Sequence, residues 1–456
     1  MTGARGTAGR DADVAVVGAG PAGSSLALRL ARAGVDVVLL DARSFPRSKP
    51  CGDCLSPGAT PLLRELDVLS AVEELGPGRL GGWRVRSPGG TWFAGRFDPG
   101  RGRGPAAGLS LTRRELDAAL LDGARREGAR VRDRTRAVGL LRERGRADGL
   151  RVRDGRGRER ELRARFVVGA DGLRSTVARE LGGVRRGPRR RIALVRRVRA
   201  PRGPDRTGEL RLGRDGVLGL APVGGDRYNL TLVVPRSAAP AVSRSREEYF
   251  RRRVRGYVRR GWSEEIEPVS EIEITGPFEV KPERLVAPGA LLVGDAAGYF
   301  DPLTGQGIYR ALATSRLAAR SVLRGLEEPA REAAALQRYR GEARRLLSPG
   351  RRVQRWVDSA VSRPRVIDAL ARVFAARPSL PSLLFEVTGD RLPARALVRP
   401  DRLARAVAAR EPGPGARPDW PRGPEGPASA GSTGRRSARA SDTTPDETSD
   451  RTPGGA

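Results

Sequence analysis

Short apolar runs near the start of the chain are separated by a glycine-rich turn and an amphipathic segment. Residues 14–17 form an apolar run suited to a buried parallel strand. Leu26, Leu30 and the alanines between them share one helical face, Gly34 ends that helix, and residues 35–40 form the next apolar run. Strand, glycine-rich turn, helix and strand in this order predict a Rossmann-type unit.

The pattern of apolar positions changes further along the chain. Residues 109–131 predict an amphipathic helix that leads into a strand, and residues 132–165 predict a β-meander. From 185 to 280, apolar and polar residues alternate between glycine pairs, which predicts an antiparallel sheet. Strand, loop and helix return near residue 290, and residues 325–408 have helical periodicity.

Composition excludes several kinds of chemistry. Histidine is absent, which removes a histidine base, a Ser-His-Asp triad and a histidine-ligated metal. Cys51 and Cys54 are too few for a four-thiolate zinc site in one chain, so we expect no metal. Residues 1–12 lack the apolar core of a secretory signal, and no window approaches about eighteen uninterrupted apolar residues. We therefore expect a cytoplasmic protein with reduced thiols.

The charge of the chain is strongly positive. The formal net charge is +33, and all but two of the 86 basic residues are arginine. Such charge favours either a nucleic-acid or acidic-membrane partner, or a composition in which arginine replaces lysine throughout. Arginine occurs in nearly every segment, and aromatic residues make up only 4% of the chain, too few for base-stacking platforms. We expect no nucleic acid, and a basic nucleic-acid or membrane-surface binder stays as the non-enzymatic alternative.

The segment GAGPAG at residues 18–23 carries the clearest chemical signal. Gly18 suits the tight turn, Gly20 the close approach of backbone to a pyrophosphate, and Gly23 the packing of the helix on the strand. The helix N-terminus offers free N–H groups and a positive dipole end to phosphates. Asp41 ends the second strand, where a carboxylate would hold ribose hydroxyls. These features together predict a dinucleotide site.

Two later segments each place an Asp-containing turn after an apolar run, namely GADGLRSTVAR at residues 169–179 and LLVGDAAGYFDPLTGQGI at residues 291–308. With the first turn, they resemble the fingerprints of the flavoprotein superfamily that contains aromatic hydroxylases and geranylgeranyl reductases. The resemblance implies bound FAD, with NAD(P)H as a transient reductant. It also implies that Asp295 binds ribityl hydroxyls and that residues 302–308 lie against the isoalloxazine, where helix N–H groups can stabilise the reduced flavin.

By the same resemblance, Arg113 would contact the cofactor and Asp171 would act at the strand junction near FAD and NAD(P)H. The predicted cofactor-binding residues lie at these turns, at the end of the second strand or at the start of the amphipathic helix. They are Gly18, Gly20, Pro21, Ala22, Gly23, Asp41, Arg43, Arg113, Asp171, Gly294, Asp295, Pro302, Gly305, Gly307 and Ile308.

The pattern and the resemblance together predict an α/β fold in three parts. We expect a Rossmann-type FAD-binding domain of residues 13–184 and 281–325, an inserted antiparallel β-sheet substrate domain of residues 185–280, and a helical C-terminal region of residues 326–410. A flexible leader of residues 1–12 and a disordered tail of residues 411–456 complete the prediction, because the tail is rich in Pro, Gly, Ser, Thr and charge without periodicity.

Cys51 and Cys54 form a C-x-x-C pair that allows three interpretations: a redox dithiol, a structural loop, or an active-site loop with one important thiol. Flavoenzymes that use a dithiol resemble C-x4-C here and carry a C-terminal histidine and a second glycine-rich fingerprint, which this chain lacks. The stretch FPRSKPCGDCLSPGA instead resembles the geranylgeranyl reductase loop F-P-R-x-K-x-C-G-G/D-x-L-x-P. That resemblance implies that Cys51 faces flavin and substrate as the catalytic residue, while Cys54 falls at a variable position.

Two flavin reactions fit the resemblance. In the first, an alkene of a lipophilic molecule is reduced in a geranylgeranyl-reductase-like reaction, and in the second a flavin monooxygenase hydroxylates an aromatic or polyketide-type substrate. The Cys51 loop favours the reductase, as does Gly298, since many hydroxylases have histidine after GDAA. The segment around Pro222 argues against an isoprenoid substrate, because it lacks the Trp-x-Phe-Pro signature of geranylgeranyl reductases. Alkene reduction is the favoured hypothesis; we find no Trp-x-Trp-x-Ile-Pro motif of the flavin halogenases.

The substrate itself is expected between the flavin and the antiparallel sheet. Tyr228 and Asn229 either lie beside it or are ordinary strand residues. The apolar stretch at residues 379–387 caps a lipophilic pocket, touches a membrane surface or packs as a helix. A lipophilic small molecule is therefore the expected partner, and peripheral contact with a membrane stays open.

Overall fold

The computed structural model describes residues 9–100, 102–188, 191–200, 206–258 and 260–408. The strands are β1 (Ala12–Val17), β2 (Val37–Leu40), β3 (Cys54–Leu55), β4 (Gly78–Leu80), β5 (Gly82–Arg86), β6 (Trp92–Arg96), β7 (Gly108–Ser110), β8 (Arg130–Arg132), β9 (Arg136–Glu143), β10 (Arg146–Arg153), β11 (Glu159–Gly169), β12 (Val184–Arg186), β13 (Arg191–Arg199), β14 (Gly208–Gly213), β15 (Gly216–Pro222), β16 (Arg227–Pro235), β17 (Glu267–Pro268), β18 (Glu273–Thr275), β19 (Val280–Pro282), β20 (Val286–Ala287) and β21 (Ala290–Leu292). The α-helices are α1 (Pro21–Arg32), α2 (Thr60–Glu65), α3 (Leu69–Glu74), α4 (Arg113–Arg126), α5 (Thr176–Glu180), α6 (Ala239–Arg244), α7 (Arg246–Arg255), α8 (Arg260–Glu265), α9 (Gly307–Glu327), α10 (Glu332–Val361), α11 (Pro364–Ala376), α12 (Ser379–Thr388) and α13 (Pro400–Ala408).

The first sheet has the strand order β20-β21-β11-β1-β2-β8, and β9 and β10 extend it from β11 as antiparallel strands. Strand β1 pairs in parallel with β2 and β11, and β8 and β21 continue the parallel sheet on either side. Val14 and Val16 pack on one face with Leu26 of α1, whereas Ala15 and Val17 pack on the other. Apolar runs buried on both faces therefore produce the predicted parallel strands.

The second sheet has the strand order β17-β13-β16-β15-β14-β5-β6, with β18 also paired to β13. Its strands are antiparallel except for the β14–β5 pair. Leu194, Leu218 and Leu232 point to one face, where they pack with Phe250 of α7 and Trp262 of α8. The opposite face is free of these helices and contributes to a cavity described below.

This architecture confirms the predicted α/β fold with a Rossmann-type unit, an antiparallel sheet and C-terminal helices, and it differs from the sequence prediction in two places. Strands β5 and β6 join the antiparallel sheet although they precede residue 184. Within the segment predicted as strands, three helices occur instead, namely α6 (Ala239–Arg244), α7 (Arg246–Arg255) and α8 (Arg260–Glu265). The apolar residues Phe250, Val254 and Val258 recur at helical spacing there, a period that the glycine-punctuated strands before them obscured.

Helices α10 to α13 form the end of the described chain. Phe385 of α12 packs on β6, where a Cβ at Gly95 would lie 2.5 Å from its ring. The apolar stretch at 379–387 is therefore a packed helix with Leu383, Phe385 and Val387 buried. The predicted tail of residues 411–456 lies outside the described residues, as do residues 1–8 of the predicted leader, and Ala12 already belongs to β1. Within the described ranges, none of the helices combines the length and the apolar character that a membrane crossing requires.

Candidate active site

The glycine-rich turn between β1 and α1 combines two packing glycines with one that leaves space. Gly18 has φ +100°, and a Cβ on it would lie 2.6 Å from the Ala170 carbonyl oxygen. A Cβ on Gly23 would lie 1.8 Å from the Gly18 carbonyl oxygen. A Cβ on Gly20, by contrast, would meet only the guanidinium ends of Arg113 at 3.5 Å and Arg47 at 3.8 Å. The fold itself requires Gly18 and Gly23, whereas Gly20 keeps open a space that faces two cations.

Carboxylates hold both arginines in place around that space. Arg113 donates to buried Asp117 through Nε and Nη2 at 2.7 and 2.8 Å. Arg47 donates to Asp117 at 3.0 Å and to Asp41 at 3.1 Å. Asp41 also accepts from the backbone N–H groups of Ala19 and Arg43, each at 3.0 Å. The turn, the end of β2 and the start of α4 thus form one preorganised cationic cradle beside the N-terminus of α1.

Two carboxylates near the cradle have unused acceptor capacity. Among the described residues, no side chain or backbone group donates a hydrogen bond to the Asp295 carboxylate, and the buried Oδ1 atom of Asp171 also lacks a partner. Burial raises the pKa of Asp295, and the positive charges of Lys49 and Arg113 oppose the rise. Burial lowers the pKa of the Lys49 ammonium, and the positive charge of Arg113 lowers it further. Acceptors left free at a cavity wall are available to a polar ligand.

The start of α9 is anchored to the end of the C-terminal helical region. The Gln306 amide donates to Asp390 Oδ1 at 2.6 Å and accepts from Arg310 at 2.8 Å. Ser56, from the loop after β3, donates to the other Asp390 oxygen at 2.7 Å. Burial raises the pKa of Asp390 to about 7, and the hydrogen bond from Ser56 opposes that rise. These contacts fix the turn that holds Pro302 and Gly305.

Many of these groups line one cavity of about 610 Å³ between the first sheet, the second sheet and the loop around Cys51, while Asp117, Gln306 and Asp390 support that wall from behind. Gly23 and Gly294 do not line this cavity. Gly294 has φ +58° and packs against Ala22, so that a Cβ on Gly294 would lie only 2.8 Å from the Ala22 Cβ. The remaining predicted site residues meet at its wall: Gly18, Gly20, Pro21, Ala22, Asp41, Arg43, Cys51, Arg113, Asp171, Asp295, Pro302, Gly305, Gly307 and Ile308.

The Cys51 loop is fixed to the second sheet through Asp53. This buried residue has a left-handed backbone at φ 55° and accepts from Arg197 at 2.8 and 3.2 Å. Asn229 donates to Asp53 at 2.7 Å and to the Cys51 carbonyl oxygen at 2.8 Å. The Arg113 backbone N–H donates to Asp53 Oδ1 at 3.2 Å. Asp53 therefore joins the Cys51 loop, α4 and the antiparallel sheet.

Cys51 and Cys54 are both free thiols with different surroundings. Burial raises the pKa of Cys51, and the neighbouring Arg113 opposes the rise. Burial also raises the pKa of Cys54, whose sulfur lies 3.0 Å from the Gly52 carbonyl oxygen and 3.9 Å from Ser110 Oγ. Both groups are thiols rather than thiolates at neutral pH, so Cys51 presents a protonated thiol at the cavity wall.

The cavity face of the second sheet is lined by three cross-strand rows. Arg197, Asn229 and Ala221 form a polar row, of which Asn229 and Ala221 line the cavity. Val195, Thr231 and Gly219 form the middle row, and Ala193, Val233 and Val217 form an apolar row. Asn229 therefore reaches the cavity wall, but its amide nitrogen is committed to Asp53 and Cys51. Tyr228 points to the opposite face and packs with Phe250, which agrees with the second of its two alternatives, an ordinary strand residue.

Sequence reasoning missed several residues of this site. Arg47 and Lys49 stood inside the quoted loop pattern F-P-R-x-K, and Asp53 at its G/D position, but no role followed from the pattern. Asp117 carried a helical signal, four residues after Arg113. Tyr299 lines the cavity with its ring 5.6 Å from that of Phe278, and burial raises its pKa, so it stays neutral.

The chain matches the sequence model of the FAD binding domain over residues 11–349. The chain belongs to this FAD-binding family. The menaquinone reductase of Mycolicibacterium smegmatis is 32% identical to it over 331 residues, which cover 69% of this chain and 77% of that protein. The digeranylgeranylglycerophospholipid reductase 1 of Methanothermobacter thermautotrophicus is 32% identical over 319 residues, with coverages of 68% and 76%.

Among solved structures, the myxobacterial chondrochloren halogenase, a FAD-dependent halogenase, superposes with a TM-score of 0.70 at 25% identity. The superposition covers 82% of this chain and 92% of the halogenase. Fold and family together confirm that the protein is a FAD-dependent oxidoreductase and that FAD is its cofactor. The interpretation as a non-enzymatic basic binder is not retained.

The residues around the cavity fit FAD. The space at Gly20 faces the cations of Arg47 and Arg113, as a pyrophosphate requires, and the N-terminus of α1 lies beside it. The free acceptors of Asp295 and Asp171 are suited to hydroxyl or N–H donors of the cofactor. Nothing in the chain has to move aside at Gly20, since the glycine alone keeps that position open.

Replacement of Gly20 by valine should abolish FAD retention without unfolding the protein. The new methyl groups occupy the pyrophosphate space, while the nearest protein atoms are flexible guanidinium ends at 3.5 and 3.8 Å. We expect the Kd for FAD to rise at least about hundredfold, or about 3 kcal/mol. Flavin absorbance of the purified variant and fluorescence titration of apoprotein measure this effect. The matched Gly100→Val variant, on an exposed loop, should bind FAD normally; yellow Gly20→Val protein would contradict the assignment.

The change Asp53→Asn should destabilise the protein by about 2–4 kcal/mol, because it removes the buried counterion of Arg197 and leaves only the partly exposed Glu273 to pair with that charge. Asparagine tolerates the left-handed backbone at φ 55°, so the loss reports the charge rather than strain. Urea unfolding measures the free energy. The double variant Asp53→Asn/Arg197→Met should lose much less than the sum of the two single changes; simple additivity would show that the pair does not interact.

Proposed function

We propose that this FAD-dependent oxidoreductase reduces a carbon–carbon double bond of a lipophilic small molecule, with NAD(P)H as the reductant. The names of the two relatives described above, a menaquinone reductase and a digeranylgeranylglycerophospholipid reductase, both refer to reductases of lipid-like molecules. The apolar row of the second sheet supports a lipophilic substrate, since Ala193, Val217 and Val233 offer no hydrogen bond.

The observation that carries the proposal is the protonated Cys51 thiol on the wall of the cavity. Reduction of an alkene requires a hydride at one carbon and a proton at the other. Cys51 shares its cavity with Arg113 on one side and the apolar sheet face on the other. Transfer of an oxygen atom to an aromatic ring requires no proton donor for a substrate carbon, so a protonated thiol beside the apolar sheet face favours reduction.

The proposal assigns roles to the charged residues around Gly20, to Asp295 and to the Cys51 loop. Arg47 and Arg113 bind the pyrophosphate, Asp41 holds the turn at Ala19, and Asp295 accepts from the ribityl chain. The bound FAD supplies the hydride that NAD(P)H has given to it. Cys51 donates the proton, and the Arg113 guanidinium stabilises the thiolate until solvent restores the proton. Asp53 fixes the position of the Cys51 thiol relative to the antiparallel sheet, and the apolar row excludes water from the site.

The domain division predicted from the sequence becomes part of the same proposal. Residues 13–184 and 281–325 bind FAD, and the antiparallel sheet seats the substrate, with β5 and β6 added to the predicted substrate domain of residues 185–280.

Peripheral contact with a membrane stays a prediction. The apolar side chains on which it would depend are those of Trp356, Val398 and Val407, which are 58%, 59% and 51% exposed and lie among arginines of the C-terminal helices.

Anaerobic turnover decides between reductase and monooxygenase. The enzyme is reduced with NAD(P)H without O2 and mixed with a naphthoquinone that carries an isoprenoid chain. We expect a product heavier by two hydrogen atoms with one double bond fewer, detected by mass spectrometry, at a rate that O2 does not raise. A product that forms only with O2 and contains an added oxygen atom would replace the proposal by the monooxygenase alternative.

The change Cys51→Ala should leave FAD binding intact and lower the rate of alkene reduction by about hundredfold or more, as expected when a general acid is lost. Reduction of the bound flavin by NAD(P)H should keep its rate, since that step needs no proton from Cys51. Stopped-flow absorbance separates the two steps. The matched Cys54→Ser variant should stay within about twofold of the parent; an equal loss in both variants would favour the redox-pair interpretation.

A further inference from the structure

Gly219 lies at the centre of the sheet face that lines the cavity. In β15 it pairs with Leu210 of β14 on one side and with Thr231 of β16 on the other, and Thr231 pairs with Val195 of β13. All four residues line the cavity. Gly219 is therefore the one member of this row that has no side chain to project into the cavity.

The backbone does not require glycine at this position. The φ angle of Gly219 lies outside the left-handed region, unlike that of Gly149, which has φ +151° in β10. A Cβ on Gly219 would lie 3.6 Å from Leu210 Cδ2 and 3.7 and 3.9 Å from two atoms of Thr231, which are ordinary contacts. Glycine inside a strand weakens it and often marks the close approach of a ligand. The missing side chain thus enlarges the cavity rather than the range of backbone conformations.

Gly219 also separates two chemically different ends of the cavity wall. The polar row with Arg197 and Asn229 holds the Cys51 loop. The row with Val217 and Val233 lies on the other side of Gly219 and is apolar. Consider a molecule with its reacting bond near Cys51 and its apolar arm along the apolar row. Such a molecule has to pass over the sheet surface at Gly219.

We propose that Gly219 sets the size of the apolar arm that the enzyme accepts, and this inference rests on the proposed function. The missing side chain at Gly219 leaves space for an extended apolar arm between the polar and apolar rows. A larger side chain there blocks the crossing and leaves the Cys51 end of the cavity unchanged.

The test compares binding of two naphthoquinones, one with a single isoprene unit and one with four, to the oxidised FAD-loaded enzyme. Quenching of flavin fluorescence gives each Kd without turnover. In Gly219→Val we expect the Kd of the four-unit quinone to rise at least about tenfold and that of the one-unit quinone to stay within about twofold. Gly219→Ala should give an intermediate shift, and it carries the test if the valine variant does not fold.

The matched control is Gly81→Val, since Gly81 lies outside the cavity wall and a Cβ there would meet only the Arg206 carbonyl oxygen at 3.5 Å. Both quinones should bind this variant as they bind the parent. Equal affinities of both quinones for Gly219→Val and parent, or an equal loss of both, would overturn the role of Gly219 while the proposed reaction stands. If the parent binds neither quinone, the substrate class fails, and the role of Gly219 fails with it.

Discussion

The buried carboxylate of Asp53 is the interaction on which the rest of the site depends. It accepts hydrogen bonds from Arg197, from Asn229 and from the Arg113 backbone N–H, three groups on different elements. A buried charge without partners is costly, so the folded state holds all three donors around it. Because Asp53 lies two residues after Cys51, the same bonds fix the thiol relative to the antiparallel sheet. Asp53 thereby sets the position of α4 relative to the antiparallel sheet.

The cradle around Gly20 follows the same logic with the signs exchanged. Asp117 and Asp41 orient the guanidinium groups of Arg47 and Arg113 before any anion is present. Donors that are already oriented lose little conformational entropy when a pyrophosphate binds. The closely packed turn at Gly18 likewise holds its backbone in place. In a chain with 86 basic residues, these carboxylates select which arginines face the space at Gly20. Net charge alone says nothing about that selection.

Local features of the site could be predicted from the sequence, and long-range ones could not. The turn from Gly18 to Gly23 could be recognised because its three glycines lie within six residues between two apolar runs, although the close approach of Gly18 to Ala170 could not. The Asp53–Arg197 pair joins residues 144 apart, and arginine is too common in this chain for such a partner to stand out. The sequence left open whether Tyr228 or Asn229 faces the cavity, because adjacent strand residues face opposite sides and no local signal showed which face bordered the cavity. Strands β5 and β6 joined the second sheet through a parallel pairing with β14 that periodicity does not encode.

The central claim is that turns far apart in the sequence converge on one flavin. Hydrogen–deuterium exchange of the apoprotein with and without one equivalent of FAD tests it directly. The account predicts slower exchange at three separate segments together, at residues 18–23, 171–174 and 294–308, with half-maximal protection at the same FAD concentration. Protection confined to residues 18–23, or protection of the three segments at different FAD concentrations, would contradict a single shared site.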